Sequence, residues 1–168
     1  MTHPYDRLSP DLILDAVEKT GYEVTGGLFN LNSYENRVIQ ISLNEAAPVI
    51  AKFYRPDRWS EQAILEEHQF SLALAEEDIP VIAPEIINGQ TLFEHEGFRF
   101  ALFKRQGGRW PELDNMDNLR WIGRFLGRIH QLGCAKPFKH RPSINPETFG
   151  HEQVRWLLSS GRLPAHFE

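Results

Sequence analysis

Apolar and polar positions along the chain follow two alternating periods, and the changes of period divide it into elements. Leu12, Ile13, Ala16 and Val17 recur at helical spacing behind Ser9-Pro10-Asp11. Serine accepts from the orphan amides of a first turn, proline suits that turn, and Gly21 can end what reads as a short amphipathic helix. Tyr22 to Phe29 is a β-rich run interrupted by Gly26-Gly27. After Asn30-Leu31-Asn32-Ser33 the period becomes two, with Ile39, Ile41 and Leu43 on one face of a second strand, joined to the first as a hairpin. Turn residues from Asn44 to Pro48 lead into a third strand, where Val49, Ala51 and Phe53 alternate with Ile50, Lys52 and Tyr54. That strand therefore carries a lysine in its interior.

The helical period returns from Ser60 to about Glu76, with Ser60 as N-cap and Trp59 placed to pack on Ile64 as a hydrophobic staple. This helix ends near Asp78. Ile79-Pro80-Val81-Ile82-Ala83-Pro84 is extended, because each proline restricts itself and its predecessor. Asn88-Gly89 and Glu96-Gly97 then separate three apolar runs, the last from Phe98 to Phe103, which read as a meander of short antiparallel strands. Past Gly107-Gly108 the pattern turns helical again, with Leu119, Ile122, Phe125, Leu126, Ile129 and Leu132 on one face and Gly133 as its stop. A Pro- and basic-rich loop from Lys136 to Pro146 precedes a last helix over about Glu147 to Ser160. The expected organisation is α+β: an N-terminal helix in residues 1–21, a sheet-bearing lobe over 22–104, and a boundary near 104–110. Residues 105–168 then form a connector and an incomplete helical lobe.

Composition narrows the chemistry. With 41% hydrophobic and 24% charged residues the chain has apolar surface enough for a globular domain and the start of another. A net charge of -5 and a pI near 5.8 argue against nucleic acid as a partner, since phosphate backbones are gripped by clustered basic faces. Cys134 is the single cysteine, which excludes an intramolecular disulfide and a cysteine-built metal site and fits a reducing cytoplasm. The start, Met1-Thr2-His3-Pro4-Tyr5-Asp6, has no signal-peptide core, and no stretch is apolar for the roughly 20 residues that span a bilayer, so a soluble protein without a membrane partner is expected. His68, His130 and His140 lack metal-ligand spacing and read as structural or surface residues.

The order strand, polar turn, strand, strand with internal lysine, acidic helix, then strands ending at a glycine-bearing connector is that of a kinase small lobe. Each part has a physical duty there. The turn Asn32-Ser33-Tyr34-Glu35-Asn36 would cover ATP phosphates with amide donors, although it is not glycine-rich. Taken alone it is an ordinary polar turn. Lys52 would set its ammonium on the α and β phosphates and needs an anion to hold it; without that context its stem would cover apolar surface while its head met water. Glu66 and Glu67 are both eligible by helical phase, and the offset to Ile79-Pro80 favours Glu67. The backbone from Phe103 through Lys104, Arg105 and Gln106 would meet the adenine edge, with apolar residues sandwiching the ring.

Specific strings then point to a family. Leu31-Asn32-Ser33-Tyr34-Glu35-Asn36-Arg37-Val38, Lys52-Phe53-Tyr54-Arg55-Pro56-Asp57-Arg58-Trp59, Ile64-Leu65-Glu66-Glu67-His68-Gln69-Phe70 and Asn88-Gly89-Gln90-Thr91-Leu92 resemble the bacterial stress response kinase A family. The likeness continues through Gly107-Gly108-Arg109, Gly123-Arg124-Phe125-Leu126-Gly127-Arg128-Ile129-His130-Gln131 and His140-Arg141-Pro142, and is weakest at the end. It implies a protein-kinase-like fold of the aminoglycoside phosphotransferase and choline kinase type, and transfer of a phosphoryl group from ATP, with magnesium, to serine or threonine of a protein substrate in a cytoplasmic stress response. Carried over by position, Ser33 becomes the phosphate-loop contact, Lys52 the third-strand lysine and Glu67 its helix partner.

Such kinases also use an H-x-D-x-x-x-x-N segment and a later metal-binding aspartate. Neither is present: His130, His140, His151 and His166 are followed two residues on by Leu132, Pro142, Gln153 and Glu168. The catalytic base and metal ligands are accordingly expected outside these residues, with this chain as roughly the first half of its family's length. Two other functions are compatible with the pattern, a small-molecule kinase for homoserine, choline or an aminoglycoside, and a non-catalytic nucleotide-binding or interaction module. In an incomplete helical lobe Leu119, Ile122, Phe125 and Ile129 would be left partly unburied.

Overall fold

A computed structural model describes residues 3–164; Met1, Thr2 and residues 165–168, which include His166, lie outside the described residues. Helix α1 (Pro10–Glu18) begins as its sequence dictates, with the Ser9 hydroxyl accepting from the Leu12 amide and proline in the first turn. Five strands follow, β1 (Val24–Leu31), β2 (Arg37–Leu43), β3 (Val49–Phe53), β4 (Phe93–His95) and β5 (Phe98–Lys104), with helix α2 (Glu61–Glu76) between β3 and β4. They form one sheet in the order β1-β2-β3-β5-β4, antiparallel at every pairing. Beyond it come α3 (Met116–Ala135), a π-helical turn (Glu147–His151) and α4 (Glu152–Ser159).

The two faces of the sheet have different work, and period-two alternation assigns it. One face presents Ile39, Ile41, Val49, Ala51, Phe53, Phe98, Phe100 and Leu102, which bury themselves with Ile13, Ala16 and Val17 of α1 in the main core. Tyr5 completes this layer, stacked on Phe98 with its hydroxyl donating to the Phe53 carbonyl at 3.3 Å. Burial pushes its phenol up to about 12, against the pull of Arg37 and Arg55. The opposite face carries two rows set by the strand register: Leu31, Val38, Lys52 and Ala101, then Phe29, Gln40, Ile50 and Phe103. Helix α2 covers part of it, packing Ile64 with Tyr54 and Ala101, and Trp59 joins that cluster as the staple pattern requires.

Local chemistry fixes the turns. Gly26 sits at φ +84° where the β1–β2 register shifts, and a Cβ on its neighbour Gly27 would lie 2.6 Å from the Ser42 hydroxyl, so a side chain there would force Ser42 to shift. Asn88-Gly89 and Glu96-Gly97 both take positive φ at successive residues, the geometry of a type I′ turn. Helix α2 closes in a Schellman motif: Asp78 at φ +53° donates to Ala75, Ile79 donates to Leu74, and both Ile79 and Leu74 are buried.

Three expectations are corrected. The meander of three strands is a two-stranded hairpin, β4–β5; the segment before it makes only the isolated bridges Pro84–Phe103 and Ile87–Gln90, because Pro80 and Pro84 withhold ladder donors. Gly133 does not stop α3, which runs on to Ala135; a glycine inside a helix costs only about 1 kcal/mol, and Pro137 is the real barrier. The last helix opens with a π-helical turn rather than regular α geometry. Helix α3 has no buried residue, and Leu119 and Leu126 are exposed. Packing divides the chain into one unit ending at Phe138 and a second beginning at Lys139. No helix among the described residues is long and apolar enough to cross a membrane.

Candidate functional site

Strand alternation turns Lys52 away from the main core and toward α2. Its ammonium donates to the Glu67 carboxylate at 3.0 Å, with the lysine side chain 22% and the glutamate 35% exposed. The partner is thus Glu67. Ser60 caps the helix that presents it, accepting from the Ala63 amide at 3.1 Å, and Glu67 stands about two turns further on. The ammonium also lies 4.7 Å above the centre of the Tyr54 ring. A pair this accessible to water contributes at most about 1 kcal/mol to stability, so its importance is positional.

Beside the pair opens a cleft of about 550 Å³. Leu31, Val38, Ile50 and Phe103 give it apolar walls, Lys52 and Glu67 a charged end, and residues 104–107 with Ile82 its rim. Size and lining are those of a small-ligand site, apolar with a few converging polar groups. Of the residues singled out from the sequence, Lys52, Glu67, Phe103, Lys104 and Arg105 line it together. Arg105 closes one side by donating to the Gln40 amide oxygen at 3.1 Å. A larger cleft of about 750 Å³ between Tyr22 and residues 80–87 has no comparable charged pair, its Glu85 carboxylate accepting instead from the Tyr22 hydroxyl. Burial first, and then that bond, push the Tyr22 phenol up to about 12.

Ser33, Tyr34, Glu35 and Asn36 are not brought to the cleft wall. They form the β1–β2 turn, and most of their side chains hold the turn together. Ser33 donates to the Asn36 carbonyl at 2.7 Å, and the Asn36 side chain accepts from the Arg55 amide at 3.2 Å. Glu35 clamps the turn to the approach to α2, accepting from the Trp59 indole at 2.8 Å and from Arg58 at 3.1 Å. Tyr34 is fully exposed.

Burial alone would push the Glu35 carboxyl up, but the bonds from Trp59 and Arg58 and the charges of Arg58 and Arg55 together hold it below the usual range. A depressed carboxyl stabilises the fold above its unfolded value and loses that contribution as pH falls through its folded one. Glu35→Gln is therefore expected to lower the urea midpoint at pH 7, with the gap to the parent chain closing as pH is taken below the ordinary glutamate value. A gap that stayed constant would show that the charge is idle.

Sequence reasoning missed Tyr54 and Thr91 and placed His68 only as structural or surface. His68 is 1% exposed and bonds Tyr54 at 2.6 Å and Thr91 at 2.9 Å. The signal was present in a polar residue falling on the inner side of α2, but only a partner's position reveals its use. No three His, Cys, Asp or Glu side chains among the described residues group as a metal would require.

The sequence profile of the phosphotransferase enzyme family matches residues 29–166. The chain is 51% identical over 161 residues to stress response kinase A of Shigella flexneri and 50% identical to that of Escherichia coli (strain K12). It is 48% identical to the serine/threonine protein kinase RdoA of Salmonella typhimurium (strain LT2). Each alignment takes in 96% of this chain and 49% of the relative, so the chain spans about half their length. Among solved structures, amicoumacin kinase hAmiN in complex with AMP-PNP, Ca2+ and Ami superposes with a TM-score of 0.65 at 19% identity, over 90% of this chain and 48% of that one. A microcompartment-associated aminopropanol kinase superposes with a TM-score of 0.60 at 22% identity, over 87% and 49%. Since the profile runs from within β1 past α4, the chain belongs to the phosphotransferase enzyme family.

Proposed function

We propose that this chain is the ATP-binding half of a serine/threonine protein kinase of the stress response kinase A type, acting in the cytoplasm. The observation that carries the reading is the Lys52–Glu67 pair at the end of an apolar cleft. Leu31, Val38, Ile50 and Phe103, which share one face of the sheet, would cover one side of the adenine ring, and the backbone of Lys104 and Arg105 would meet its edge. Lys52, a point charge steadied by Glu67, would hold the α and β phosphates, with the Ser33–Asn36 turn lying over them. Identity near one half with kinases of that name supports a protein hydroxyl as acceptor. The structural neighbours' names point to small-molecule acceptors, but at 19% and 22% identity they inform the fold alone.

ATP as phosphoryl donor fits the residues present. Magnesium, which neutralises developing phosphate charge in such enzymes, finds no ligand group among the described residues, and these 168 residues contain no H-x-D-x-x-x-x-N segment. The chain's own contribution is to bind and orient the nucleotide. Purified chain is expected to gain about 2.7 kcal/mol of stability at ATP a hundredfold above its Kd, read as a shift in thermal midpoint. It should transfer no phosphate to protein. Absence of any shift at millimolar ATP would reject the nucleotide site, and robust transfer would reject the assignment of the chain as a binding half.

A further inference from the structure

His68 is the one buried polar or charged side chain among the described residues. Each ring nitrogen meets a hydroxyl, Nε2 that of Tyr54 at 2.6 Å and Nδ1 that of Thr91 at 2.9 Å. A buried imidazole without partners is costly, and either neutral tautomer satisfies both hydroxyls here. Such a network fixes one geometry more sharply than apolar packing, which tolerates sliding.

What it fixes lies at the cleft. Tyr54 is 3% exposed, and its ring face sits 4.7 Å beneath the Lys52 ammonium, which also donates to Glu67 at 3.0 Å. His68 is the next residue of the helix that presents Glu67, so one turn of α2 supplies the carboxylate and pins the ring. Thr91, in the segment between the Asn88-Gly89 turn and β4, holds the far side of the imidazole. Helix α2 cannot rotate or slide without opening one of these bonds.

We propose that His68, Tyr54 and Thr91 are positioning residues that set the Lys52 ammonium in the cleft by locking helix α2 and the Tyr54 ring together. The functional consequence rests on the cleft being the nucleotide site. The test uses the 168-residue chain with ATP as probe, and reads the NMR resonances of the Lys52 ε-methylene, ATP affinity and the thermal midpoint. Tyr54→Phe keeps the ring and removes the hydroxyl, Thr91→Val removes the other anchor, and Thr91→Ser restores it. Tyr54→Phe and Thr91→Val are expected to move the Lys52 resonances toward those of a free lysine and to weaken ATP binding about three- to tenfold, with Thr91→Ser near the parent.

Variants that lose stability while keeping the parent's Lys52 resonances and ATP affinity would overturn the proposal, because a purely structural role does just that. Should the parent chain fail to bind ATP while its Lys52 resonances still respond to Tyr54→Phe, the nucleotide reading would fall and the positioning network would stand. His68→Leu alone is a poor probe, since a variant at the centre of this network can fail to fold.

Discussion

Phe100→Ala is expected to cost the fold about 3–5 kcal/mol, a large share of the roughly 5–15 kcal/mol that holds a domain together. Phe100 is 0% exposed, and its ring lies 5.1 Å from that of Phe53 and 5.6 Å from that of Phe93, joining the centre of the sheet to its edge hairpin. Truncation removes the ring's transfer energy and leaves a cavity walled by strands that cannot close in, because β3 and β4 flank β5 on both sides. Urea unfolding followed by circular dichroism measures the loss. Phe100→Leu should retain most of the stability, whereas a loss below about 1 kcal/mol for alanine would mean that the aromatic layer collapses around the gap.

The second large effect concerns the ligand. Lys52→Ala is expected to weaken ATP binding about 10- to 100-fold, the range of losing charge-assisted hydrogen bonds to phosphate, while leaving the unfolding midpoint nearly unchanged because the ion pair is partly exposed to water. Lys52→Arg should rescue poorly, since a forked guanidinium does not replace a compact ammonium held between Glu67 and Tyr54. Glu67→Gln should fall between parent and Lys52→Ala. Calorimetric titration of the three variants distinguishes these outcomes, and equal affinity for Lys52→Ala and parent chain would end the phosphate role.

Much of this architecture is legible in the sequence because its determinants are local. Ser9 and Ser60 cap their helices, and strict alternation in β2 and β3 places Lys52 on the face opposite Phe53. What is not legible depends on distant partners. The pairing of β3 with β5 joins strands separated in sequence by helix α2 and strand β4, and it brings Phe103 beside Ile50 to wall the cleft. Helical phase leaves Glu66 and Glu67 open, and only the packed structure, in which Glu67 accepts from Lys52 at 3.0 Å, settles the pairing. Glu35 reads as a turn residue near phosphates, but its carboxylate is taken by Trp59 and Arg58, which the pattern assigns to the approach to α2. The continuation of α3 through Gly133 was decided by the weakness of a single helical glycine as a breaker, with Pro137 supplying the stronger signal two residues past the helix end.

The four tryptophans are distributed in a way that experiment can use. Trp110, Trp121 and Trp156 are exposed at 95%, 60% and 55%, whereas Trp59 is partly covered and donates to Glu35 beside the β1–β2 turn. Intrinsic fluorescence of the chain should consequently be dominated by red-shifted emission open to iodide, with one blue-shifted, iodide-resistant indole. That protected component is a built-in optical reporter of the turn, readable without any added label.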